Sequence, residues 1–78
     1  MRVQLASVDS EAGAKTEWQR LRKRMPDILD GRDPIIVKGE LDGRTVWRLR
    51  AGGFDDAAKA SEFCDRVHAE GGVCITVQ

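Results

Sequence analysis

Tyrosine is missing from this sequence, histidine occurs once, and cysteine and proline occur twice each. Aromatic residues make up only 5% of the chain, too few to pave a strand face with base-stacking rings. His68, Cys64 and Cys74 are too few ligands for a metal site, and no cofactor is implied. Thirteen basic and 13 acidic side chains cancel, so no overall field recruits nucleic acid or an anionic membrane. Charge-driven binding must therefore come from local placement. No apolar run is long enough to span a bilayer, and there is no signal-peptide pattern.

What is present is 78 residues, enough for a single domain over 1–78 with a small core that a covalent staple would help. With 41% hydrophobic and 33% charged residues, the composition is that of a globular domain. Met1 abuts a strand-like segment, which suggests a domain excised from a longer protein.

The pattern is clearest in Arg44-Thr45-Val46-Trp47-Arg48-Leu49-Arg50-Ala51, where apolar and polar residues alternate at strand period. Trp47, Leu49 and Ala51 are expected to face a core, and Val46, Arg48 and Arg50 the opposite side. Asp42-Gly43 in front of it is a hairpin-turn dipeptide, and Gly52-Gly53 ends it. A two-residue turn would pair the preceding strand, 35–41, so that Val37 meets Arg48 and Lys38 meets Trp47. A longer loop would reverse that register.

Arg2 to Val8 alternates as a first strand, with Val3 and Leu5 inward and Arg2, Gln4 and Ala6 outward. Asp9 or Ser10 can cap a helix whose apolar stripe is Ala14, Trp18, Leu21 and Met25. Pro26 ends that helix, and residues 27–33 read as a polar loop with Ile28 and Leu29 tucked beneath it. Asp55 is the expected cap of a second helix, striped by Ala57, Ala60, Cys64 and Val67 with Phe63 alongside. Gly71-Gly72 suits a left-handed stop, and residues 73–77 a β-branched last strand.

The order βαββαβ predicts an α+β, ferredoxin-like or RNP-like fold: a four-stranded antiparallel sheet with both helices on one face. Its first and third strands lie side by side in the centre, which would make Gln4 and Arg48 neighbours on a bare face.

Three segments carry a family resemblance. Val3-Gln4-Leu5-Ala6-Ser7 resembles the V-Q-L-G-S opening of the SPOR (sporulation-related repeat) domain. Trp47-Arg48-Leu49-Arg50-Ala51-Gly52-Gly53-Phe54 resembles its aromatic-R-V-R-V-G-P-F segment, and Gly71-Gly72-Val73-Cys74-Ile75 its G-x-x-C-hydrophobic close. The likeness spans essentially the whole chain, in order and at the right spacing.

It implies a non-catalytic module that binds peptidoglycan, preferring glycan strands stripped of their stem peptides, at the septum of dividing bacteria. The implied site is the open sheet face, with Gln4, Ser7, Arg48 and Ile75 carried over by motif position. Arg50 lies on the same face and joins them as a candidate. Implied partners are the glycan and, through the parent protein, other division proteins, in the periplasm or cell envelope. Two positions depart from the family pattern. Val46 stands where an aromatic is frequent, removing a sugar-stacking ring, and Gly53 replaces a proline, which would loosen the turn.

A helix followed directly by its strand brings Cys64 and Cys74 close together. The oxidising compartment implied by the resemblance favours a disulfide over two buried thiols. His68 lies four residues after Cys64, but no third group orients a nucleophilic pair. Asp27, Asp30 and Asp33 step by three and do not match a calcium loop.

Rival readings share the topology. An RNA-recognition-like module would display aromatics where Arg2, Gln4, Ala6 and Arg48 are expected. A small-molecule regulatory domain would dimerise through its sheet edges. An acylphosphatase-type enzyme would need a phosphate-cradling loop.

Overall fold

A computed structural model describes residues 1–77. These form strands β1 (Arg2–Val8), β2 (Pro34–Leu41), β3 (Arg44–Ala51) and β4 (Ile75–Val77), with helices α1 (Glu11–Arg24), α2 (Pro26–Leu29) and α3 (Ala57–Ala69). The strands make one antiparallel sheet in the order β2-β3-β1-β4. The α+β, ferredoxin-like expectation therefore holds.

The hairpin takes its tight register. Asp42 and Gly43 both have positive φ, 52° and 78°, the pattern of a two-residue turn that matches strand twist. Val37 consequently faces Arg48, and Lys38 faces Trp47.

Ser10 caps α1, its side chain accepting from the Gly13 N–H at 2.9 Å. Ala14, Trp18, Leu21 and Met25 are all buried, as their spacing predicts. Pro26 stops α1 but starts α2: its fixed φ suits a first helical position, and its missing N–H costs nothing there. The expected 27–33 loop is thus partly helical, and it buries Ile28 and Leu29.

Asp56, not Asp55, caps α3, accepting from the Lys59 N–H at 2.9 Å. Ala57 is exposed in the first turn, while Ala60, Phe63, Cys64 and Val67 are buried. At the far end Gly71 takes φ 79°, and the Gly72 N–H donates to the Val67 carbonyl at 2.9 Å. That closes α3 with a left-handed cap and turns the chain back toward the sheet. Residues 73 and 74 lie outside β4, which is shorter than the 73–77 expectation.

The core lies between the helices and one sheet face, with Val3, Leu29, Leu49 and Val67 its largest fully buried side chains. Each contributes on the order of 1.5–3 kcal/mol by leaving water. Cys64 and Cys74 form a disulfide with Cα atoms 5.1 Å apart, tying α3 to the approach of β4. His68 Nε2 lies 2.8 Å from the Cys74 carbonyl oxygen, so the ring braces the same junction. Cys64 is consumed in the bond, and no thiol stands beside the histidine.

Trp47 departs from expectation. It is on the helix side of the sheet but only half-buried and outside the core cluster, with Lys38 Nζ 5.6 Å from its ring centre. It sits near the hairpin end of β3, where the strand runs past the helices' apolar stripes.

Candidate functional site on the open sheet face

In an antiparallel pair, residues directly opposite one another share a face. Pairing therefore assigns each candidate to a side. Gln4 is opposite Ile75 on β4 and Arg50 on β3, and Arg50 is opposite Ile35 on β2. One row, Ile75-Gln4-Arg50-Ile35, thus crosses all four strands on the face away from the helices. A second row is Ser7-Arg48-Val37.

A β-bulge makes this arrangement possible. The β1–β3 register shifts between Gln4 and Ala6, leaving Leu5 as the extra residue. Gln4 and Ser7 are three apart, and in an unbroken strand they would point to opposite sides. With the bulge both reach the open face. Leu5 stays buried, and Ala6 turns inward opposite Leu49 to pack on the core. The outward placement of Ala6 expected from simple alternation is therefore overturned. Gln4 and Arg48 share the open face in adjacent rows, with Gln4 directly opposite Arg50 and Arg48 opposite Ser7.

The two arginines are held differently. Arg50 Nε donates to Gln4 Oε1 at 3.2 Å, orienting both groups. Arg48 extends over β2, where its guanidinium covers Gly39; a Cβ at that position would overlap it. Gly39 is therefore a parking space for a charged fork. Both arginines are half-buried, so their stems lie on the sheet while the guanidinium groups stay within reach of solvent.

Ser7 is exposed and Ile75 is 54% exposed, which sets aliphatic surface beside the polar groups. Val46, on the same face, is nearly covered, whereas Leu41 at the hairpin end is 52% exposed. None of the described aromatic rings belongs to this face: Trp18, Phe54 and Phe63 are buried in the core and Trp47 is on the helix side. The surface offers amide, hydroxyl and guanidinium groups on an aliphatic floor. It can hold a polar polymer by hydrogen bonds and methyl contacts. Among the described residues no three His, Cys, Asp or Glu side chains gather to hold a metal.

One organising residue escaped the sequence-level reading. Arg32 donates from Nη1 to the Gly52 carbonyl at 2.9 Å and stacks over Phe54 and Phe63, 4.2 and 5.0 Å from their ring centres. It holds the β3–α3 turn, where Gly53 takes φ 88°, a value closed to proline. The glycine at this position thus gives a differently built turn, fastened from outside. An arginine flanked by Gly31 and Asp33 gives no sequence signal of a partner 20 residues away.

An open, antiparallel α+β sheet whose bare face carries a polar and aliphatic platform defines a surface-binding domain of ferredoxin-like build. Comparison with protein-family models matches the SPOR domain over residues 1–78, and the chain belongs to that family. No curated protein and no solved structure matches the chain. The SPOR family is one of binding domains known for peptidoglycan binding in cell division.

Proposed function

We propose that the chain is a non-catalytic module that binds peptidoglycan glycan strands, denuded of stem peptides, through its open sheet face. In this reading it directs its parent protein to the division septum in the periplasm. The observation that carries it is the row Ile75-Gln4-Arg50, with Ser7 and Arg48 alongside, on the side of the sheet away from the helices. Family membership and the disulfide, at home in an oxidising compartment, support the same reading.

The chemistry is that of a shallow lectin-like surface. A glycan stripped of its peptides exposes hydroxyl, acetamido and lactyl carboxylate groups along an extended chain. Arg48 and Arg50 offer planar forks suited to carboxylates, on backbone positions about 7 Å apart along β3 at the usual rise. Gln4 and Ser7 donate and accept, and Ile75 supplies apolar packing. A stem peptide would remove the free carboxylate and add bulk over a nearly flat face.

Pelleting the domain with purified sacculi, before and after an amidase removes the stem peptides, tests this. Binding should rise on removal. If it stays flat, the denuded-strand reading is wrong.

A further inference from the structure

The open face does not end at the two rows above. β1 stops at Val8, opposite Trp47, while the β2–β3 hairpin continues past it to Leu41 and Arg44. Losing one strand of three leaves a step, and a recess lies there, lined by Ser7, Val8, Asp9, Leu41, Arg44 and Val46. Leu41 is opposite Arg44 and Val46 is opposite Gly39, so the two aliphatic side chains are diagonal neighbours on the open face. Gly39 puts no side chain beside Val46, and the Arg48 guanidinium above Gly39 bounds that flank.

We propose that this recess takes the N-acetyl group of an amino sugar in the bound glycan, with Val46 and Leu41 as the methyl floor and Arg44, Asp9 and Ser7 as the amide rim. The proposal rests on the glycan-binding reading above and adds a specificity element to it. An acetamido group has one methyl, one carbonyl acceptor and one N–H donor. The recess has the complement of each. Arg44 can only donate and Asp9 can only accept, while the Ser7 hydroxyl does both. Among the described residues neither Arg44 nor Asp9 makes an ion pair, which leaves both charged groups to a ligand.

Shape supports the same choice. A flat ring stacking on this face would want an aromatic partner, and Val46 supplies instead a branched aliphatic surface that is only 7% exposed. A group the size of a methyl can meet that floor without burying a whole sugar ring. Leu41, half in water when the site is empty, gains cover on binding.

The test uses the whole domain and sacculi stripped of stem peptides, in four forms: fully N-acetylated, chemically de-N-acetylated, re-acetylated with acetic anhydride, and N-formylated. De-N-acetylation should weaken pelleting about tenfold, the sum of a lost methyl contact and lost amide hydrogen bonds, and re-acetylation should restore it. Formylating the freed amines returns a neutral amide without the methyl, and binding should recover only in part. Leu41→Ala changes an exposed residue and leaves the core intact. It should weaken binding to acetylated strands and narrow their advantage over formylated ones.

Equal pelleting of acetylated and de-N-acetylated strands overturns the acetamide site while leaving the glycan reading standing. Full recovery on formylation overturns the methyl floor. A domain that pellets with no form of sacculus overturns both this proposal and the function on which it rests.

Discussion

Arg50 and Gln4 are joined across the two central strands by a hydrogen bond of 3.2 Å from guanidinium Nε to amide Oε1. Because the arginine can only donate, the amide oxygen must face it, and this bond leaves the amide nitrogen to other partners. The bond uses Nε and leaves the two terminal nitrogens of Arg50 to other partners. Each residue thus presets the other, and a ligand meets groups whose side-chain entropy is partly spent.

That coupling predicts a non-additive result. Gln4→Ala and Arg50→Ala should each weaken sacculus binding, by roughly 0.5–1.5 kcal/mol for a solvent-accessible hydrogen-bonding group. The double variant should lose less than the sum, since each single change already disorders its partner. Pelleting isotherms for the four proteins measure the difference, with circular dichroism as the check on folding.

Gly39→Ala is a test of Arg48 that leaves its charge in place. The added methyl group takes the space now under the guanidinium, and the flexible arginine must swing away. Gly39 lies mid-strand without a positive φ, so alanine suits its backbone. The thermal midpoint should move by only a few degrees, corresponding to about 1 kcal/mol or less. Binding should fall toward the level of Arg48→Ala. Unchanged binding in both variants would take Arg48 out of the site.

The disulfide fastens the approach of β4 to α3. Its removal by Cys64→Ala with Cys74→Ala should cost about 2–3 kcal/mol by loop-closure entropy, read as a lower denaturation midpoint. β4 is three residues long and carries Ile75. Amide exchange should therefore accelerate first in β4, ahead of β1 and β3.

Arg32→Ala should loosen the turn that leads into α3. It removes a hydrogen bond to Gly52 and a stack on two phenylalanines, together worth about 1–2 kcal/mol. Sacculus binding should change little, because Arg32 is bonded to the Gly52 backbone and not to Gln4 or Arg50. A loss of binding larger than the loss of stability would place the turn in the site.

Leu49→Ala sets the scale for damage to the core. Leu49 is completely buried in the third strand, and truncation should cost about 2–5 kcal/mol. Chemical denaturation measures it directly. Any binding defect in this variant should vanish under conditions where it remains folded.

The helical stripes were legible because burial follows a local period. Ala14, Trp18, Leu21 and Met25, and likewise Ala60, Cys64 and Val67, are one or two turns apart and meet the core for that reason alone. The hairpin itself was legible at Asp42-Gly43, but its register stood open between a two-residue turn and a longer loop until the structure showed the two-residue turn. Motifs at both ends of the chain and in β3 carried the family. Trp47 misled because strand parity names a face but not whether anything covers it.

The site divides along the same line. From the sequence alone came the order of elements, their apolar faces, the place of the two arginines on one side of β3, and the family. Only the tertiary structure decided which arginine meets Gln4 and how Ser7 reaches the open face, because both depend on a bulge at Leu5. A bulge is a property of two strands and leaves little mark on either one. It arises when Leu5 is kept in the core while the β1–β3 ladder shifts by one residue around it. Pairing across a sheet is settled by long-range packing, and that packing turned a row of alternating residues into a candidate binding face.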